Sequence, residues 1–123
     1  VRVIDDLRAP NGIVGSPDGK YLFVADIMGR ATYRYKINSD GSPGNKTLFT
    51  QSGSDGMTID KQGNIYLTAG KVLVFNPEGQ KLGEIGLPEA PTNVCFGGKK
   101  KNILFITART TVYTLKMKVK GVE

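Results

Sequence analysis

The chain has 123 residues and a formal charge of +6, and 39% of its residues are hydrophobic. This length suits one domain with a buried core. The sequence contains no histidine and one cysteine, which excludes histidine-based catalytic triads, histidine-ligated zinc sites and an internal disulfide. No apolar run approaches the roughly 18 residues of a helical membrane span. Residues 1–10 show no signal-peptide pattern, which leaves the compartment open between cytoplasm and periplasm.

The predicted elements are short strands separated by turn signals. In chain order we predict a leading strand at 1–5 and then eleven further strands, at 12–16, 21–25, 31–37, 46–50, 56–60, 64–69, 71–76, 81–86, 93–97, 102–107 and 111–119. No stretch of ten residues combines helical periodicity with freedom from glycine and proline, so we predict an all-β fold. Cys95 lies in an apolar run and is predicted to be a small buried side chain.

The excess of lysine and arginine raises nucleic acid as a partner, because a basic chain attracts phosphates. Three lysines stand together at 99–101 in a predicted turn, and three more alternate with apolar residues from 115 to 120. Such alternation is typical of a strand with one solvated face, and no aromatic stacking set accompanies the charge. We therefore predict a solvated surface, with neither nucleic acid nor a membrane as partner.

The strands repeat in three units, near residues 8–50, 51–87 and 88–120. Ile13-Val14 aligns with Met57-Thr58 and with Val94-Cys95, and the spacing is close to that of a propeller blade, about 40 to 45 residues. The third unit stops after its third strand, and a ring needs at least about four blades. We therefore predict that residues 1–123 form a partial β-propeller of about three blades, each an up-and-down antiparallel sheet.

Two of the units place an oxygen-bearing side chain just before their first strand, Asn11 in PNG and Asp55 in SDG. First strands of neighbouring blades lie at the propeller axis, and amide and carboxylate oxygens are the ligands that calcium and magnesium prefer. The third unit has Thr92 at this position, and Asn93 stands where the others have glycine. Asn and Asp before glycine are also ordinary turn residues, so this pattern alone leaves both a turn and a metal site open.

Three other charged residues follow second strands of the units. Asp26 comes directly after LFVA, where an aspartate commonly caps backbone amides. Arg30 and Arg109 fall in loops that we expect at the same face as Asn11. Each could bind an anionic group of a substrate or form a structural salt bridge.

Three stretches carry a resemblance to a known family: PNGIVGSPDGKYLFVAD, SDGMTIDKQGNIYLTAGKVLVFNPEGQKLGEI and PTNVCFGGKKKNILFITARTTVYTL. They resemble the C-terminal half of the gluconolactonase and regucalcin (senescence marker protein) family. The resemblance implies a six-bladed propeller that holds one divalent cation at the mouth of its channel and hydrolyses lactones. It also implies that Asn11 and Asp55 are metal ligands, whereas a further Glu and Asn of the family lie in blades absent from this chain.

We therefore predict a metal-dependent hydrolase of lactones or sugar lactones, to which this chain contributes part of the propeller. Asn11 and Asp55 would bind the cation, calcium first and zinc or magnesium as alternatives. Asp55 would also accept a proton from water, and Arg30 and Arg109 would bind substrate. We expect activity only from a complete propeller, which a homodimer could supply. The alternative is a non-catalytic propeller module for binding or scaffolding, without a tight metal site.

Overall fold

The computed structural model describes residues 1–122, which form eleven β-strands and no helix. Consecutive strands pair antiparallel within three sheets. The first sheet contains β1 (Pro10–Gly15), β2 (Tyr21–Asp26), β3 (Ala31–Ile37) and β4 (Pro43–Thr50); the second contains β5 (Met57–Ile59), β6 (Ile65–Ala69), β7 (Lys71–Phe75) and β8 (Lys81–Ile85); the third contains β9 (Asn93–Gly97), β10 (Ile103–Ala108) and β11 (Thr111–Lys116). Glu123, the last residue of the predicted domain, lies outside the described residues.

The register of the three sheets confirms the predicted alignment of the units. The equivalent pairs are Ile13 with Val24, Met57 with Leu67, and Val94 with Ile106. Each of the eleven strands agrees with its predicted position to within three residues at either end. Period-two alternation of apolar side chains therefore located the strands correctly.

Two apolar cores lie between the three sheets, with the second sheet contributing to both. The buried residues of the first core are Phe23, Ala25, Phe49, Met57, Ile59, Ile65, Leu67 and Phe75. Those of the second core are Tyr66, Val72, Val94, Phe96, Leu104 and Ile106. The first strands of the sheets pack side by side, β1 against β5 and β5 against β9. This arrangement places the ends of three innermost strands next to one another.

The last described segment, residues 117–122, leaves the third sheet and crosses to the second. The prediction of a strand to 119 is therefore wrong, because β11 ends at Lys116. Beyond that point Met117 and Val119 pack against the second core, and the amide of Lys61 donates to the carbonyl of Lys120 at 2.8 Å. Lys118 and Lys120 are exposed, as predicted for the solvated face.

The predicted strand at 1–5 is wrong. Residues 1–7 have no strand geometry and pair with none of the described strands. They are instead tied to the first sheet by an ion pair of 2.8 Å between Asp6 and Lys46. No helix among residues 1–122 has the length and apolarity that a bilayer crossing requires.

The prediction of a buried Cys95 is also wrong, since this side chain is exposed. Successive residues of β9 point to opposite faces of the sheet, and Val94 and Phe96 take the face that packs on the second sheet. Cys95 therefore points to the outer face, where it pairs across the strands with the 36% exposed Phe105. No sheet of the described residues covers this face.

Candidate functional site

The starts of β1, β5 and β9 meet at one end of the three sheets and place the predicted metal ligands there. Asn11 is the second residue of β1, and Asp55 lies two residues before β5. The amide of Asp55 donates to the carbonyl of Thr68 at 3.2 Å, and the amide of Thr92 donates to the carbonyl of Thr107 at 2.8 Å. These matching bonds confirm that Thr92 occupies in the third unit the position of Asp55 in the second.

The innermost strands approach each other closely. The residue after Asn11 contacts the start of β5, and the residue after Asp55 contacts the start of β9. A Cβ atom at Gly12 would lie 2.8 Å from the carbonyl oxygen of Asp55 and 3.1 Å from Sδ of Met57. Gly56 approaches Asn93 in the same way, and a Cβ atom there would overlap its side chain. Glycine is thus required for close contact at both strand junctions. At the first of these junctions, the backbone that carries Asn11 lies directly beside that of Asp55.

The side chains of Asn11 and Asp55 are both available to a ligand. Asn11 is exposed and Asp55 is half-buried. Within residues 1–122, neither side chain takes part in a hydrogen bond or an ion pair, unlike Asp26 and Asp60 nearby in the fold. An Asx turn, the ordinary role of Asn or Asp before glycine, would engage the side-chain oxygen with the backbone. The free oxygens of this pair therefore differ from those of a typical turn residue.

Asp55 stands in the wall of a groove of about 300 Å³. The lining residues are Ile27, Gly53, Ser54, Asp55, Thr68, Ala69, Gly70, Ala90, Pro91 and Thr92. Most of them are small, and Asp55 is the one ionisable residue among these described side chains. The groove therefore presents a single carboxylate to any molecule that enters it.

The residue types of this pair fit a hard divalent cation, but they supply only part of its coordination shell. Calcium takes about six to eight oxygen ligands, including carboxylates and amide carbonyls. No group of three or more acidic, cysteine or histidine side chains within residues 1–122 is arranged to hold a metal ion. A complete site would therefore need further oxygens beyond those of Asn11 and Asp55.

Asp26 lies at the same end of the first sheet but has the structural role predicted for it. It is 2% exposed, and its carboxylate accepts backbone hydrogen bonds from Arg8 and Ala9 at 2.8 Å and from Gly29 at 3.0 Å. These bonds, that of Arg8 foremost, hold the pKa of Asp26 below its usual range, although burial opposes the shift. Asp26 is a backbone cap, as the sequence predicted.

Arg30 and Arg109 lie in the turns that follow β2 and β10. Both are exposed and both have a left-handed backbone conformation, with φ of 51° and 52°. These turns are at the end of the sheets where β1 and β9 begin, since Pro10 pairs with Asp26 and Asn93 with Thr107. Neither arginine lines the groove around Asp55, and neither forms an ion pair with another described residue.

Sequence analysis missed two buried hydroxyl groups beneath the groove, those of Ser54 and Thr68. Each forms hydrogen bonds to Gly56, the residue after Asp55. Serine before an aspartate and threonine within a strand are both common, so neither carries a signal of its own. Only the pairing of β5 with β6, which brings together residues 14 positions apart, reveals the contact.

Residues 1–110 match the family model described as SMP-30/Gluconolactonase/LRE-like region. The chain belongs to this family. The predicted family is thereby confirmed, and so is the fold class, because the three antiparallel sheets are those of a partial propeller.

Relatives in the SMP-30/gluconolactonase family match almost the whole chain. A gluconolactonase of Zymomonas mobilis is 37% identical in an alignment of 130 positions, which covers 94% of this chain and 36% of that protein. The solved structure of a gluconolactonase from Xanthomonas campestris superposes with a TM-score of 0.84 at 29% identity, and the match covers 92% of this chain and 39% of that one. Regucalcin from Agrobacterium tumefaciens, a calcium-binding protein, has a TM-score of 0.87 at 24% identity, over 98% of this chain and 50% of that one. The chain thus spans well under half the length of the curated relatives at 36–37% identity.

Proposed function

We propose that this chain is part of a metal-dependent lactone hydrolase and contributes Asn11 and Asp55 to its cation site. The single observation that carries the proposal is the pair of free oxygen donors at the starts of two adjacent innermost strands. One of them opens into a groove of about 300 Å³. Polar side chains of this kind, left without hydrogen-bond partners at the edge of a groove, are candidates for binding a ligand.

The relatives support the class of reaction. Gluconolactonases of Zymomonas mobilis and Xanthomonas campestris and a 6-deoxy-6-sulfogluconolactonase of Pseudomonas putida are similar to this chain at 29–37% identity. Their substrates, by name, are sugar lactones. We propose the same substrate class for the complete protein that contains these blades. We propose calcium as its cation, because regucalcin is described as a calcium-binding protein.

The chemistry of the site follows from the two side chains. When bound, a divalent cation supplies polarisation of a carbonyl group and makes a nearby water more acidic. Asn11 would hold the cation through its neutral amide oxygen. Asp55 has two oxygens, so one can bind the cation while the other accepts a proton from the water that attacks the lactone carbonyl carbon. Ring opening then breaks the bond between that carbon and the ring oxygen, which takes up a proton to become a hydroxyl.

Asp55→Ala tests this assignment. In a complete propeller that contains these residues, we expect kcat for glucono-lactone hydrolysis to fall at least about 100-fold, the typical contribution of a positioned general base. Proton release in a weakly buffered solution measures the rate. Asp40→Ala is the matched control, because Asp40 is an exposed carboxylate in the β3–β4 turn. A variant at Asp55 that keeps most of the rate would exclude the proposed base.

Asn11→Ala separates binding of the cation from the chemical step. We expect the affinity for calcium to fall about tenfold or more, as is typical when a group that supports a metal site is removed. The loss of kcat at saturating calcium should be smaller. Isothermal titration with calcium, magnesium and zinc in parallel gives the affinity and the preferred ion. A non-catalytic scaffold would show no tight site for any of the three, and that result would contradict the proposal.

Arg30 and Arg109 have a more limited role in this proposal, as contacts for an anionic group of a substrate. Both are exposed at the end of the sheets that holds Asp55. Arg30→Gln and Arg109→Gln should raise KM for a sulfonated lactone and leave KM for an uncharged lactone unchanged. Equal effects on both substrates would rule out recognition of the anionic group.

A further inference from the structure

The side-chain hydroxyl groups of Ser54 and Thr68 are buried next to Asp55, and we call this pair the hydroxyl bracket. Ser54 is 2% exposed and Thr68 is 1% exposed, although both line the groove in which Asp55 stands. Buried hydroxyls are retained in folded proteins where they form hydrogen bonds that the surrounding backbone needs. Their hydrogen bonds engage Ser54 and Gly56, the two residues on either side of Asp55.

The first hydroxyl links the residues before and after Asp55. Oγ of Ser54 donates to the carbonyl oxygen of Gly56 at 2.7 Å and accepts the amide proton of Thr68 at 2.8 Å. It therefore closes a short loop from Ser54 to Gly56 around Asp55 and ties this loop to β6.

The second hydroxyl holds the same peptide from the neighbouring strand. Oγ1 of Thr68 accepts the amide proton of Gly56 at 3.0 Å and donates to the carbonyl oxygen of Gly56 at 2.7 Å. The amide of Gly56 also donates to the carbonyl of Thr92 at 2.8 Å, which joins β5 to the third unit. The backbone on both sides of Asp55 is thus fixed by β6 and by the segment before β9.

The other two units lack the complete pair of buried hydroxyls. Register places Ala25 of β2 at the position of Thr68, and alanine has no hydroxyl to offer the backbone near Asn11. In the third unit Thr107 has the position of Thr68, and its hydroxyl lies 3.5 Å from the carbonyl oxygen of Asn93. This threonine is exposed, however, and Pro91 at the position of Ser54 has no hydroxyl. The buried bracket therefore coincides with the single unit that carries a carboxylate.

We propose that Ser54 and Thr68 are positioning residues that hold the Asp55 carboxylate in the geometry that a divalent cation requires. This inference rests on the proposed function, because it assigns the two hydroxyls a role at the same cation site. Partners that orient a metal ligand commonly change metal affinity by about 10–100-fold when they are lost. A purely structural hydroxyl would change stability without changing affinity.

Calcium titration of Thr68→Val in a complete propeller that contains these residues tests the inference, since valine keeps the branched shape of threonine and replaces its hydroxyl with a methyl group. We expect the calcium Kd to rise about tenfold and Thr68→Ser to restore it. Tyr66→Phe is the matched control, because it removes another buried hydroxyl from β6, one that donates to Asp60 at the opposite end of the strand. Its calcium Kd should equal that of the unaltered complete propeller. Ser54→Ala removes the other half of the bracket, should Thr68→Val fail to fold.

Three outcomes separate the hypotheses. A rise in Kd for Thr68→Val or Ser54→Ala, with recovery in Thr68→Ser, supports positioning. The same Kd in every variant overturns the positioning role and leaves the cation site intact. Absence of calcium binding by the unaltered complete propeller contradicts the proposed cation site itself, and the positioning role with it.

Discussion

Two aspartates flank β5 and have opposite environments. Asp60 follows the strand, is fully buried at 0% exposure, and accepts four hydrogen bonds, from the amides of Gln62 and Asn64, from the Asn64 side chain and from the hydroxyl of Tyr66. Asp55 precedes the strand, lines a groove, and forms no side-chain hydrogen bond within the described part of the chain. A carboxylate whose oxygens are all engaged stabilises the fold, whereas one left free at a groove can bind a ligand.

The surroundings of the two carboxylates differ in the same way. At the end that holds Asp60, residues 120–121 pair with the backbone at Asp60 and Lys61, and Tyr66 is buried and donates to Asp60. A groove of about 390 Å³ at this end is lined by Ile59, Lys61 and Gln62 but not by Asp60. Burial and the neighbouring carboxylate both raise the pKa of Tyr66, so this phenol stays protonated as a hydrogen-bond donor. At the other end, Asp55 itself lines its groove of about 300 Å³. The two ends of one short strand thus hold one carboxylate that is fully engaged in hydrogen bonds and one that is not.

The largest expected effect is the difference in unfolding free energy between the Asp60→Ala and Asp55→Ala variants. Asp60→Ala leaves several buried donors without an acceptor and should lower the free energy of unfolding by about 4 kcal/mol. Asp55→Ala loses no hydrogen bond and should change it by less than about 0.5 kcal/mol. Urea unfolding followed by circular dichroism measures both. Equal losses in the two variants would contradict the division between a structural and a ligand-binding carboxylate.

A smaller effect is expected from crowding the junction between β1 and β5. The Cβ atom of Gly12→Ala would press on the carbonyl oxygen of Asp55 at 2.8 Å, and relief of such overpacking costs about 2 kcal/mol. Gly15→Ala is the control on the same strand, because its nearest contact would be an ordinary 3.9 Å. We expect Gly12→Ala alone to lower the unfolding free energy and to weaken calcium binding through displacement of Asp55. If the unfolding free energy and the calcium affinity both stay unchanged, then close contact between β1 and β5 is not needed for stability or for the position of Asp55.

Local patterns in the sequence predicted most of the fold. Alternation of apolar residues located the eleven strands, and the alignment of Ile13, Met57 and Val94 fixed equivalent positions in the three units. The role of Asp26 also followed from its place at a strand end. These features depend on residues close together in the chain, where periodicity and turn chemistry are informative.

Features that depend on distant or absent partners could not be predicted in this way. The strand expected at 1–5 needs an edge to pair with, and the burial expected for Cys95 needs a sheet on the outer face of the third unit. The hydroxyl bracket at Asp55 joins Ser54 to Thr68 across a strand pair. The pairing of Asp60 with the C-terminal segment spans about half of the chain, and no local pattern marks it.

The smallest expected effect is a change in the pH dependence of stability at Asp26, whose carboxylate caps backbone amides at the same end of the sheets as Asp55. Backbone hydrogen bonds, that of Arg8 foremost, lower the pKa of Asp26 in the folded chain, while the unfolded chain keeps the ordinary value of about 3.9. A lowered folded pKa means that the unfolded state binds the proton more readily, so the stabilisation is present above about pH 4 and is lost as the pH falls through the folded pKa. Asp26→Asn should therefore flatten the loss of unfolding free energy between about pH 5 and pH 3, as measured by urea titration at each pH. An unchanged slope would show that the cap contributes nothing to stability as a charged group.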